Sequence, residues 1–413
     1  MKEHDRNITN NCIDTIVIGG GISGVSFASK LKTNNLDYLL IDDTTNSGCT
    51  DTFNTKEIWC EMGAHTLYNS YSNTIEYLND NHLTTNIVKR KKYPFLFINE
   101  SNQISSIFKN INFFELIKSY ITNRKTTKDN KTIQEYAEKI FGIKNYSDTL
   151  KYCFDAVLSQ NSRLFPMNYL FKKYKRNKSY PRTFTIDGGL STLVNIDLNK
   201  ISSRVMSIIK ENDLWVVKTL DKEYKCTNVC IATSWDITSS LLNNILPNSA
   251  SHIYQPQISK IMSVAIIVNK DTLKKLNNIS GLIGKKQFFY SVISRDIIDH
   301  KNLRALTFHC KSIANSENEI LKNITNILNI NADQILNYNF KTNVLPMYNV
   351  KHNIFIKNLE NDLKSSSGLY ITGNFFDRLA IENCIKRSNE EINRLISDIR
   401  INHLIIPPKK TIM

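Results

Sequence analysis

Thr15-Ile16-Val17-Ile18-Gly19-Gly20-Gly21-Ile22-Ser23-Gly24 runs from an apolar strand into a glycine turn, and its reading decides the fold. Val25, Phe27, Ala28 and Leu31 follow at helical spacing, and Tyr38-Leu39-Leu40-Ile41 reads as a second strand that ends on Asp42. Strand, glycine turn, helix, strand and acid within about thirty residues is the pattern of a dinucleotide-binding β-α-β unit. Gly19 permits the tight turn, Gly21 lets backbone approach a diphosphate without a Cβ in the way, and Gly24 lets the helix pack on the strand. The helix start at Ile22 and Ser23 presents free N–H groups and a positive dipole end to phosphate. Asp42 stands where a carboxylate can accept ribose hydroxyls. The plain alternative is a glycine-rich loop at a helix start with no ligand.

Bulk properties narrow the class. A chain of 413 residues suggests two or three structural units and a sizeable core. No apolar run reaches the roughly 18–20 residues of a membrane span, and Met1 to Asn11 is too polar for a secretory signal. The expected location is the cytoplasm. The net charge of +15 is partly clustered: Lys89-Arg90-Lys91-Lys92, then Arg124 to Lys131, then Lys172 to Arg182. A solvated face is the default reading of such clusters, peripheral contact with an anionic membrane is the second, and no nucleic-acid module accompanies them. The eight cysteines are scattered, Cys226 and Cys230 flank a strand, and no zinc spacing or other metal site is expected.

The chain divides by pattern. Residues 12–70 carry the first nucleotide-fold segment, 71–180 a helical, basic insertion, 181–255 a second nucleotide-fold segment, 256–365 strands and a helix of a second domain, 366–400 a third nucleotide-fold segment, and 401–413 a tail. Within the insertion, Thr132 caps, Glu135 follows three residues later and Gly142 suits the helix end. Tyr93, Phe95, Phe97, Phe113 and Phe114 are expected mostly in the core. The fold expected is α/β: a Rossmann-like domain assembled from discontinuous segments, with a second, mixed α+β substrate domain carrying the helical insertion.

Five places together resemble the flavin-containing amine oxidase superfamily, and within it the protoporphyrinogen oxidase branch. They are the glycine turn with Asp42; Glu61-Met62-Gly63-Ala64-His65; Phe184 to Leu193 with its Gly-Gly-Leu-Ser-Thr-Leu turn; Val229-Cys230-Ile231-Ala232-Thr233-Ser234; and Gly368 to Cys384. The resemblance implies noncovalently bound FAD. Gly19, Gly21, Ile22, Ser23 and Gly24 would line its diphosphate, Asp42 its ribose and Val205 its adenine. Gly63, Ala64 and His65 would approach the flavin, with Thr233, Gly373, Asn374 and Ile381 around the remainder. It also implies an FAD-dependent oxidoreductase passing hydride from a C–H of a nitrogen-containing small molecule to flavin N5. Protoporphyrinogen oxidation comes first, an amine-oxidase-like tailoring enzyme desaturating a C–N or C–C bond second, and a flavin-free escort protein of the same fold third.

Departures from the family pattern matter as well. Ser47-Gly48-Cys49 stands where the family often places an arginine that touches phosphate, so backbone N–H groups or another cation must answer that charge. Val264 occupies the strand position of the lysine that holds water at flavin N5 in amine oxidases; Lys260 and Lys341 lie nearby. His65 is read as a structural hydrogen-bonding group before an acid–base one, His309 as a satisfied buried histidine, and Arg378 as an ordinary salt-bridge residue before a binder of a substrate anion. Substrate, electron acceptor and oligomeric state are open.

Overall fold

A computed structural model describes residues 12–43, 48–243, 245–246, 252–311 and 316–405. The expected leader, Ser47 and the Pro407-Pro408-Lys409-Lys410 tail lie outside these residues.

The opening unit forms as the pattern requires. β1 (Ile13–Ile18) leads through the glycines into α1 (Ile22–Thr33), and β2 (Tyr38–Asp42) pairs with β1 in parallel. Gly19 turns at φ +107°, a conformation that a side chain disfavours. A Cβ built at Gly24 would lie 1.9 Å from the Gly19 carbonyl oxygen, so only glycine lets α1 seat this closely on the turn.

Around β1 grows a seven-stranded sheet. Its order is Lys200–Ser202, β2, β1, Glu223–Ile231, Leu214–Thr219, Val205–Glu211, with Leu369–Ile371 also pairing Glu223–Ile231. Strands from the two ends and the middle of the chain therefore share one sheet. Four of them end together: Gly19 N–H reaches Ile41 O, Ala232 N–H reaches Ile18 O, and Thr372 N–H reaches Ile231 O. Ligands of open parallel sheets bind outside such carboxyl ends. Cys226 and Cys230 lie within one buried strand rather than flanking it, and no metal-ligating cluster occurs among the described residues.

A second sheet, mostly antiparallel, runs Ile335–Met347, Gln257–Asn269, Leu303–Cys310, Phe289–Ser294, Gly281–Gly284, Phe95–Ile98, Ile104–Ser106. Its core packs Val264, Ile266, Phe289 and Phe308 against Ile320 and Ile324 of helix Glu317–Leu328. The segment expected to be helical thus also gives strands to this sheet. Its helices include Phe113–Asn123 and Ile133–Phe141, the latter with the full Thr132–Glu135 capping box and Gly142 at its end. Of the aromatics expected in the core, Phe97 is buried, whereas Phe95, Phe113 and Phe114 are exposed. Periodicity identifies an apolar face but not the direction in which it points.

The second sheet is pinned by a buried ion pair. Arg304 donates through Nε to Asp296 Oδ1 at 2.9 Å and through Nη1 to the carbonyls of Leu276 (2.7 Å) and Leu273 (3.0 Å). Removing one partner strands a buried charge. Arg304→Met is expected to cost about 3–5 kcal/mol in urea unfolding, and the double change with Asp296→Leu to recover part of that loss. Equal unfolding midpoints for Arg304→Met and the parent would contradict this.

Candidate active site

The site is built at the carboxyl ends of the parallel strands. Gly20 donates its N–H to Asp42 Oδ1 at 2.9 Å, and Lys200 meets Asp42 Oδ2 at 3.0 Å. A Cβ on Gly20 would lie 2.3 Å from Asp42 Oδ2, so this glycine, which the motif reading passed over, is fixed by the acid. Gly21 differs: a Cβ there would meet nothing within 4 Å. It is the N-cap of α1, whose first turn has no side-chain cap and no acid. An open backbone cradle at an uncapped helix N-terminus suits a diphosphate.

The other motif segments converge on this turn. Ile22, Leu67, Leu190, Leu193, Ile381 and Cys384 form one buried cluster, with Ala64 and Cys49 packed against it. Gly373 and Asn374 follow the strand Leu369–Ile371, and the Asn374 carbonyl accepts the Tyr348 hydroxyl. Thr233 packs by Gly19 and shares a hydrogen bond with Thr238 at 2.9 Å; Val205 opens the strand Val205–Glu211. The helix that follows begins at Ile381, and Cys384 lies in its first turn. Its thiol is buried, and burial pushes its pKa up.

The missing arginine has a counterpart nearby. Lys341, almost buried, reaches the Gly48 carbonyl and pairs with Asp51 at 3.1 Å. Gly48 is close enough to the turn that its own Cβ would lie 3.7 Å from Gly21 Cα. Lys260 is solvent-exposed and Val264 is wholly buried in the second sheet.

Between the two sheets lies a set of buried titratable groups. Glu61 takes the Leu190 N–H at 3.0 Å and the Thr52 hydroxyl at 2.8 Å. Burial outweighs these bonds and the Arg295 and Arg90 charges, and raises its carboxyl to about 8. His65 is pushed down to about 3, chiefly by burial and then by Arg90 and His309; part of its surface stays open, and its ring is neutral. His309 bonds Ser263 Oγ through Nδ1 at 2.9 Å, and burial lowers it to about 4. Asn343 donates to the same Oγ at 2.7 Å and to Met62 O at 2.9 Å. Ser263 thus joins His309 to Asn343 in one buried hydrogen-bonded chain. The satisfied-histidine reading of His309 holds. Glu61, the acid of the quoted segment, was not singled out in the sequence, because nothing local announces that its carboxyl is buried.

Arg378 sits at φ +60° just after the Gly373-Asn374 turn. Its guanidinium is held by the Tyr174 hydroxyl and lies 3.5 Å from Asp377.

Comparisons place this geometry among known folds. The profile of the NAD(P)-binding Rossmann-like domain matches residues 17–80. No curated protein matches the chain in sequence. Among solved structures, a protein assigned as a protoporphyrinogen oxidase from Exiguobacterium sp. 255-15 superposes with TM-score 0.77 at 12% identity, over 95% of this chain and 100% of its own. Cyclohexylamine oxidase from Brevibacterium oxydans IH-35A gives 0.70 at 11% identity, over 94% and 100%. Reduced UDP-galactopyranose mutase gives 0.71 at 11% identity, over 94% of each chain. The chain has the fold these proteins share, as the sequence motifs led us to expect.

The buried groups set a pH signature. Glu61 rises from an ordinary 4.5 to about 8, so between those values the folded chain holds a proton the unfolded chain has released, and stability falls as pH rises. His65, His309 and His352, the last buried at the start of helix His352–Ser365 and lowered to about 4 chiefly by that burial, act oppositely, and their effect is complete above about 6.5. Between pH 6.5 and 8 the parent is expected to lose about 1–2 kcal/mol in urea unfolding, and Glu61→Gln to lose much less. An equal slope in both proteins would contradict the assignment.

Proposed function

We propose that the chain is an FAD-dependent oxidoreductase acting on a C–H beside nitrogen in a small molecule, with protoporphyrinogen-type substrates first and amine-oxidase-like tailoring of a C–N or C–C bond second. The observation that carries the reading is the open Gly21 cradle at the uncapped start of α1, onto which the other motif segments converge. The residues fit the group. The first-turn N–H groups of Ile22, Ser23 and Gly24 answer its diphosphate, with Lys341 supplying the cation nearby. Asp42, which takes the Gly20 N–H and meets Lys200, would stand at its ribose. Gly63, Ala64 and His65 would hold the ring side of the group, and Gly373 and Asn374 its ribityl side. The buried Cys384 thiol offers no thiolate, which supports noncovalent binding.

When bound, FAD supplies the hydride acceptor at its N5. The chain's own residues orient and dry the site. Neutral His65 gives a hydrogen-bonding wall rather than a strong base, and Glu61, protonated near neutral pH, ties Thr52 to the turn at Leu190. Anaerobic mixing of the purified protein with protoporphyrinogen, cyclic imine precursors and amines is expected to bleach the flavin with at least one of them. Turnover of a substrate without net bleaching would favour an isomerase or mutase chemistry on the same fold. A colourless protein that cannot be reconstituted would favour the escort reading.

Location follows from helix Phe113–Asn123. Its apolar residues Phe113, Phe114, Ile117, Tyr120 and Ile121 share one face, and that face is outward: Phe114 is 79% exposed and Ile121 65%. Its acid, Glu115, is turned inward and takes the N–H groups of Lys144 (3.0 Å) and Asn145 (3.1 Å). The outer side keeps only cations, Lys118, Arg124 and Lys125, beside exposed Phe108 and Lys109. Apolar wedge plus positive rim matches an anionic bilayer surface and repels a second copy presenting the same rim. No helix among the described residues is long and apolar enough to cross a membrane. The protein is expected to pellet with anionic liposomes at low salt, and Phe114→Glu with Ile117→Glu to remain in the supernatant. Equal pelleting of both proteins, or of neither, would reject the contact.

A further inference from the structure

Tyr348 ties the second sheet and the helical insertion to the turn after Gly373. It follows the edge strand Ile335–Met347, is wholly buried, and its hydroxyl donates to the Asn374 carbonyl. Burial drives its phenol pKa well up, so the proton stays on that hydroxyl. Its ring lies between Phe165 of the insertion, at 5.1 Å between centroids and 21° between planes, and His352, at 3.9 Å and 9°. Tyr169 meets Tyr348 and His352 edge-on at 5.2 and 5.5 Å. Leu379, just past the turn, packs against the same cluster as Ile133, Phe154 and Met167.

The stack needs only the ring, and a phenylalanine would fill it as well. The hydroxyl is spent on one carbonyl, and that carbonyl belongs to a turn with free donors. The N–H groups of Asn374 and Phe375 find no acceptor among the described residues, although Phe375 is wholly buried. Buried backbone donors are paired in native proteins, whether by protein, water or ligand. The peptide between Asn374 and Phe375 is trans and planar, so an oxygen held toward Tyr348 sends the Phe375 N–H the opposite way. Tyr348 thereby sets the direction of a donor just beyond the strand Leu369–Ile371, which runs parallel to Glu223–Ile231. Ligands of parallel sheets bind beyond such strand ends.

We propose that Tyr348 is a positioning residue whose hydroxyl orients the Asn374–Phe375 peptide, so that the free N–H groups of the turn meet an acceptor on the bound flavin nucleotide. This deepens the FAD reading and rests on it for the identity of the acceptor. The dependence of the turn on one hydroxyl does not rest on it.

The test compares Tyr348→Phe, which keeps the ring and removes the hydroxyl, with Phe154→Leu, which loosens the same aromatic cluster away from the turn. In the protein as purified, Tyr348→Phe is expected to release FAD about tenfold faster and to displace the visible spectrum of the flavin that stays bound. Phe154→Leu is expected to lower the thermal midpoint and to leave both flavin readouts as in the parent. After removal of flavin, hydrogen exchange over Gly373–Arg378 is expected to quicken in Tyr348→Phe and not in Phe154→Leu. Unchanged FAD release and spectrum in Tyr348→Phe would overturn the proposal, and so would equal flavin effects in the two variants. A parent protein that neither holds nor takes up FAD would count against the cofactor reading. The positioning role is then decided by hydrogen exchange alone: faster exchange in Tyr348→Phe supports it, and equal exchange overturns it.

Discussion

The contact between α1 and the turn that precedes it is the constraint on which the rest depends. Gly24 presses its Cα against the Gly19 carbonyl, leaving no room for a side chain, and Gly19 itself is closed in by Ala232, just past the strand Glu223–Ile231 and more than two hundred residues later. This packing brings the helix start to the carboxyl ends of the parallel strands. It leaves Gly21 as the open face and lets Asp42 approach Gly20. A site of this kind is assembled by backbone proximity before any side chain contributes chemistry.

Burial, more than neighbouring charge, then sets the electrostatics. Glu61, His65, His309 and Cys384 are all driven toward their neutral forms by desolvation. The interior between the sheets is therefore short of negative charge, although two arginines border it.

Much of this was legible in the sequence. The strand–glycine–helix–strand–acid order, the Thr132–Glu135 cap with Gly142, and the Gly188-Gly189 turn before Leu190 are local, because short-range sterics and hydrogen bonds decide them. What was hidden is non-local. Asp42 finds Lys200 through a strand far along the chain, and Lys341 finds Gly48 across nearly three hundred residues. Arg90 read as one of a basic run, yet it folds inward where its neighbours Lys91 and Lys92 stay in solvent. Phe113 and Phe114 read as core and face outward, because Glu115 is spent on the N–H groups of Lys144 and Asn145 and fixes the polar side inside.

The central claim is that the glycine turn holds FAD without a covalent bond. The direct measurement is to denature the protein as isolated from cells and identify the released small molecule by mass spectrometry. The account predicts FAD in the supernatant, in near-equal proportion to the chain, with none left on the polypeptide. A protein that releases no flavin, and takes up none when FAD is supplied, would contradict it.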